Sequence, residues 1–165
     1  MSDISIQPVE FDDQAQREDF LDLLDHYMRG PTGNGQAMSN ELRTRLPDEL
    51  RRRPTVLSFI AYWNKKGERQ AAGLINCVEG FSTFAGRPLL NVHDIIVHED
   101  FRRRGIATAL LAHVEQVARE RGCCKLTLEV LEGNAGARQA YLNCGFAGYQ
   151  LDPAMGQALF MEKKP

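Results

Sequence analysis

Arg102, Arg103 and Arg104 stand directly before Gly105, Ile106, Ala107 and Thr108, and the stretches on either side make this run a place to hold an anion. Upstream, Leu89 to Val97 is apolar and β-branched, bounded by Gly86 and Pro88, the composition of a buried strand. Downstream, Ile106, Leu110, Leu111, Val114, Val117 and Ala118 fall at the spacing of one helix face. A helix that starts straight after such a turn aims its unpaired N–H groups, and the positive end of its dipole, at one spot. Phosphate or pyrophosphate suits that spot. Gly105 lets main chain come close, Ala107 keeps the first turn uncluttered, and the arginines add fixed positive charge.

The elements around this cradle follow in order. Ile4 to Val9 reads as a first strand, with Pro8 favouring its edge or its end, and Arg17 to Met28 as an amphipathic helix carrying Phe20, Leu21, Leu23, Leu24 and Tyr27. Gly30 to Gly35 is a break. Ser39 or Asn40 would cap a second helix with Leu42, Leu46 and Leu50 on one face, interrupted by Pro47. Thr55–Trp63 and Ala71–Glu79 form a hairpin across a polar turn. Phe81 and Phe84 then sit in a loop, as core or as a lid. After the cradle helix come a strand at Lys125–Leu131, a short helix at Ala135–Asn143, and two strands at Phe146–Leu151 and Ala158–Glu162. The expectation is one mixed α/β domain over residues 1–165.

Composition narrows the class. A chain of 165 residues, 43% hydrophobic and 25% charged, is ordinary for a soluble globular domain. Its net charge of -2 argues against a nucleic-acid binder, and no apolar run is long enough for a membrane span. Met1-Ser2-Asp3-Ile4 lacks the basic start of a secretory signal, so a cytoplasmic location is expected. Cys77, Cys123, Cys124 and Cys144 show no metal-ligand spacing and read as reduced, mostly buried thiols; no metal is expected. Arg43, Arg45, Arg51, Arg52 and Arg53, interleaved with acidic residues, are either a solvated face or a rim for an acidic substrate or ribose phosphate.

The pattern Arg102-x-x-Gly105-x-Ala107 after a strand resembles the acyl-CoA loop of the Gcn5-related N-acetyltransferases. The resemblance continues through Leu128-Glu129-Val130, Asn134, and Ala140-Tyr141-x-x-Cys144-Gly145-Phe146, and is good over about residues 88 to 150. It implies the fold of that family (GNAT), a mixed, mostly antiparallel sheet of about seven strands flanked by about four helices. It also implies transfer of an acetyl group from acetyl-CoA to a primary amine by direct attack. The acceptor would be a small-molecule or peptide amine, with neither nucleic acid nor membrane as partner; a homodimer is common in the family.

The same resemblance distributes roles. Main chain at Ile95, Ile96 and Val97 would meet the pantetheine arm and the thioester oxygen. Arg102 to Thr108 would hold the diphosphate, and Asn134, Ala137 and Tyr141 would complete the coenzyme side. Tyr141 matches the general acid that protonates the leaving thiolate; it lies seven residues after Asn134, on the same helix face. Asn134 reads also as a helix cap. For the general base, His93 comes first: counting back from Val97 in steps of two, residues 91, 93, 95 and 97 share one face of the strand, and an imidazole titrates near neutrality. A buried structural histidine is the competing reading. Asp94, on the opposite face by parity, reads as structural. Glu129 is the rival base, acting directly or through water. The first helical pair lines the acceptor pocket in the family, so His26 and Tyr27, with Asn91 from the strand, would touch substrate.

Two rivals remain open. One is a catalytically silent module that senses acyl-CoA. The other is a nucleotide-phosphate binder, weakened by the missing Gly-x-x-x-x-Gly-Lys-[Ser/Thr] and Gly-x-Gly-x-x-Gly runs.

Overall fold

The computed structural model describes residues 3–165. The chain forms two compact units, one ending at Glu129 and one running from Val130 to Pro165.

The first unit is a five-stranded sheet in the order β1-β2-β3-β4-β5. Its strands are β1 (Ile4–Pro8), β2 (Val56–Lys65), β3 (Glu68–Ser82), β4 (Arg87–Val97) and β5 (Leu126–Leu128). The first four pair antiparallel, and β5 joins β4 in parallel, so the sheet is mixed and mostly antiparallel as expected. Helices α1 (Gln14–Arg29) and α2 (Asn40–Arg51) precede the hairpin of β2 and β3, and α3 (Ile106–Glu120) links β4 to β5. Among the described residues no helix is long and apolar enough to cross a membrane.

Local chemistry explains these boundaries. Asp13 accepts from Gln16 N–H at the start of α1, and Ser39 from Leu42 N–H at the start of α2. Pro47 does not interrupt α2: the helix runs through it with the ring buried, so packing outweighs the backbone hydrogen bond that proline cannot give. The arginines of α2 form a solvated face. Arg43 pairs with Glu18 (2.7 Å) and Asp22 (2.6 Å), Arg51 with Asp12 (2.9 Å) and Asp48 (2.7 Å), and Arg53 with Glu49.

The core has two faces. Phe20, Leu21, Leu23 and Met38 pack against Ile60, Tyr62, Leu74 and Ile96 on one side of the sheet. Ile106, Leu110, Leu111, Val114 and Ala118 turn inward from α3 on the other. There α3 lies so close to β3 that a Cβ on Gly73 would sit 2.8 Å from Ile106 Cγ2 and 2.9 Å from the Ile96 carbonyl oxygen.

Beyond Glu129 the expectation fails in part. The second unit holds α4 (Ala135–Asn143) and a 3-10 turn at Pro153–Met155 capped by Asp152. Phe146–Leu151 and Ala158–Glu162 form no strand, and β5 spans three residues instead of Lys125–Leu131, giving five strands rather than about seven. Alternation nominates a strand, but a strand exists only where a neighbour completes its ladder. Leu151, Met155, Leu159, Phe160 and Met161 are accordingly exposed. The core alternative for Phe81 and Phe84 is also overturned: the β3–β4 hairpin carries both at its solvent-facing end, 64% and 96% exposed. Of the four thiols only Cys77 is buried, and burial pushes it up to about 12; the other three are half-buried.

Candidate active site

The strand, turn and helix around Gly105 form where the sequence places them. His98 N–H donates to the Ala72 carbonyl (3.0 Å), tying the loop after β4 to β3, and Glu99–Phe101 makes one 3-10 turn. The backbone then takes positive φ twice, at Arg103 (62°) and at Gly105 (79°). Gly105 is the N-cap of α3 and gives no side-chain cap. Its carbonyl accepts the first helical bond from Ala109 N–H (2.9 Å). The N–H groups of the first turn therefore stay directed outward at the helix N-terminus. Ile106 is buried, so only its main chain is available to a ligand, whereas Thr108 is exposed.

The three arginines are not equivalent. The Arg104 guanidinium lies over the rings of Trp63 (5.0 Å) and Phe101 (5.5 Å), while Arg102 and Arg103 are exposed and form no ion pair among the described residues. These features fit a diphosphate: open amide donors, a dipole of the right sign and unpaired guanidinium groups converge on one loop.

β4 feeds this cradle and parts from β5 on the way. The two strands pair only over Leu90–Val92 and Leu126–Leu128. Past that point Ile95, Ile96 and Val97 keep their pairing to β3 but have no ladder on the β5 side. The parting falls at an irregularity: Asn76 opposes Asp94 and Cys77 opposes Val92, so His93 is an extra residue in β4, a bulge. His93 is exposed, which removes the buried-histidine alternative.

The bulge also corrects the parity expectation. Ser58, Asn76 and Asp94 oppose one another across three strands, and Ile60, Leu74 and Ile96 oppose one another two residues along. The second row belongs to the core under α1 and α2, so the first lies on that face as well. Asn91, opposite Val78, is therefore on the side of Asp94 and Ile96, while Ile95 and Val97 are on the side of α3. Asn91 is also engaged, its Nδ2 donating to Thr127 Oγ1 (3.0 Å). Glu129 is exposed just past β5.

On α1, the His26 ring stacks on His98 (4.4 Å between centroids, planes 24° apart), joining the first helix to the approach of the cradle. Tyr27 packs at the margin of the core. In the second unit Asn134 caps α4, its Oδ1 accepting from Ala137 N–H (3.2 Å), so both residues have structural duties. Tyr141 is half-buried one edge-to-face contact from Phe146 (6.0 Å).

The sequence reading passed over one constellation. Ser58 Oγ donates to Asn76 Oδ1 (2.7 Å), and Asn76 Nδ2 donates to Asp94 Oδ2 (3.0 Å). A serine inside Val56-Leu57-Ser58-Phe59-Ile60 and an asparagine inside Leu74-Ile75-Asn76-Cys77-Val78 were the available signal: single polar residues in strands otherwise apolar.

A mixed sheet whose parallel strand pair parts just before an arginine-flanked helix N-terminus is the arrangement this α/β fold sets up. Residues 18–146 match the model of the acetyltransferase (GNAT) family, and the chain belongs to this family. It is 42% identical over 73 residues to streptothricin acetyltransferase of Streptomyces lavendulae, a match covering 44% of this chain and 39% of that enzyme. Glucosamine 6-phosphate N-acetyltransferase of Trypanosoma brucei brucei is 21% identical over 150 residues, covering 91% of this chain and 95% of the relative. A crystal structure of a probable acetyltransferase superposes with a TM-score of 0.79 at 20% identity, covering 98% of both chains. AAC(6')-Iy, solved with a CoA-linked bisubstrate analogue, gives 0.73 at 18% identity over 98% of this chain and 99% of its own. At such identities these structures speak for the fold.

Proposed function

We propose that this chain is an N-acetyltransferase that uses acetyl-CoA and delivers the acetyl group to a primary amine of a small molecule or peptide. Family membership supports acyl transfer. The observation that carries the finer reading is the β4–β5 ladder ending at Val92, just before β4 runs into the uncapped start of α3. An extended pantetheine arm would find unpaired strand main chain there, and its diphosphate would find the first-turn N–H groups with Arg102 and Arg103. The names of two relatives give streptothricin and glucosamine 6-phosphate as acceptors of such domains.

In the proposed reaction the N–C bond forms as the C–S bond breaks. One proton leaves the ammonium, and one reaches the departing thiolate. His93 is our choice for the base, because the bulge presents its imidazole to solvent at the point where the strands part. Glu129, also exposed, is the rival, and either could work through water. Tyr141 is our choice for the acid and Asn134 for a coenzyme contact, on the motif they share.

Two measurements test this. Calorimetry should register acetyl-CoA binding, and an amine panel should release free thiol. Binding without release from any amine would leave a sensor. Tyr141→Phe should lower kcat by about 10²–10⁴-fold, the usual worth of a general acid, with acetyl-CoA affinity nearly unchanged. An unaltered rate would remove Tyr141 from that role.

A further inference from the structure

The Ser58–Asn76–Asp94 row is unexplained by stability. Ser58 and Asn76, at 8% and 7% exposure, are the buried polar residues among the described ones, set in a face whose neighbouring row is Ile60, Leu74 and Ile96. Replacing such a pair by apolar side chains of the same shape can be nearly neutral, so stability alone does not call for it in this face. The row is also directional. The Asp94 carboxylate accepts only, so the Asn76 amide turns its NH₂ to it, and the Ser58 hydroxyl donates to the Asn76 carbonyl oxygen left on the other side. The reverse orientation would set an amide oxygen against a carboxylate. The row therefore holds one carboxylate oxygen of Asp94 in place and supplies no positive charge to neutralise it.

Asp94 is half-buried, forms no salt bridge among the described residues, and its second oxygen, Oδ1, has no protein hydrogen-bond partner there. It follows the bulge at His93 and lies on the α1/α2 face of β4, two residues past the end of the β5 ladder. An oriented, unneutralised carboxylate at that point calls for a cation from outside the chain.

Resting on the transferase reading above, we propose that Asp94 is the anchor for the acceptor, and that the acceptor is an alkylamine carrying at least two ammonium groups. The second charge follows from the division of roles. The proton of the reacting ammonium is assigned above to His93 or Glu129, so the carboxylate that Asn76 holds in place serves an ammonium that does not react. Asn76, and Ser58 behind it, are positioning residues.

The test compares 1,4-diaminobutane and a triamine with n-butylamine, following thiol release, in the wild type, Asp94→Asn and Ser58→Ala, with acetyl-CoA affinity measured by calorimetry. The wild type should favour the di- and triamine over the monoamine by about 10- to 100-fold in kcat/KM, the range of one charge-assisted hydrogen bond. Asp94→Asn keeps the side-chain shape and the bond from Asn76. It should remove the preference through KM, leaving kcat and acetyl-CoA affinity nearly unchanged, and Ser58→Ala should weaken the preference part-way. A preference that survives Asp94→Asn, or variants that lower Tm without moving it, would overturn the anchor. A loss confined to kcat would also overturn it, by making Asp94 a base. If Asp94→Asn does not fold, the wild-type ratio decides alone, and equal rates for mono- and diamine refute the proposal. Failure of the wild type to bind acetyl-CoA, or to release thiol with any amine, would instead sink the transferase reading beneath it.

Discussion

The proposed cradle at Gly105, in the loop after β4, and the proposed anchor at Asp94, on β4 itself, are built in opposite ways. The cradle is main chain. Its donors are N–H groups that any sequence supplies, and the residue types serve to free them: glycine at a positive φ, no capping side chain, arginines at the margin. The anchor is side chain, a fixed orientation relayed through an amide and a hydroxyl on two further strands. The contrast teaches that a ligand part common to a whole family can be met by backbone. A part that differs from member to member needs residues that can be exchanged without disturbing the strands.

The contrast breaks most visibly at Gly105. A side chain there meets no neighbour within 4 Å, so a substitution is penalised by conformation and charge rather than by space. Asparagine and aspartate tolerate positive φ about equally and have nearly the same shape. Gly105→Asp should weaken acetyl-CoA binding about 10- to 100-fold, and Gly105→Asn by clearly less, because only the first opposes a diphosphate at the helix N-terminus. Equal losses in calorimetry would mean that the loop tolerates no side chain and would leave the electrostatic account of the cradle without support.

Packing beneath the cradle is the next point of attack. A Cβ on Gly73 would meet the Ile96 carbonyl, a backbone atom that cannot swing aside, as well as Ile106 at the first position of α3. Gly73→Ala should cost about 1–3 kcal/mol in denaturant melts, as overpacking usually does. Its effect on binding should fall on acetyl-CoA and spare the diamine preference, since α3 moves while the row on the other face does not. A preference lost along with coenzyme affinity would show the two sites to be mechanically one.

What could be read beforehand follows the same division. The strand, turn and helix around Gly105 were legible because they are contiguous and each announces itself by local pattern. The same holds for the caps at Ser39 and Asn134. The face assignment of β4 was not legible: it counted Asn91, His93, Ile95 and Val97 in steps of two, and one inserted residue at His93 reversed the count below it. Asp94 looked structural on that count. The strands expected at Phe146–Leu151 and Ala158–Glu162 failed for a related reason, because a ladder depends on a partner that periodicity does not contain.

The smallest expected effect separates the two faces of the sheet by pH. On the α3 face His113 packs edge-on against Phe59 (4.7 Å), and its buried Nε2 has no hydrogen-bond partner. Burial holds this imidazole below the ordinary histidine value, outweighing the nearby Glu120. As pH falls through about 6.5, the unfolded chain therefore takes up a proton at this position before the folded chain does. Stability carried by the neutral ring is present above that pH and is lost as pH falls through it. His113→Leu should shrink the drop in Tm between about pH 7.5 and about pH 5.5, a window set by the unperturbed histidine value. The other three histidines, present in both proteins, cancel in the difference. The Ser58–Asn76 relay consists of neutral groups that do not titrate in this window, so the diamine preference of the His113→Leu protein should follow pH as the wild type does. If instead its acceptor preference followed pH differently from that of the wild type, protonation under α3 would be felt across the sheet at Asp94, and the two sites would not be independent.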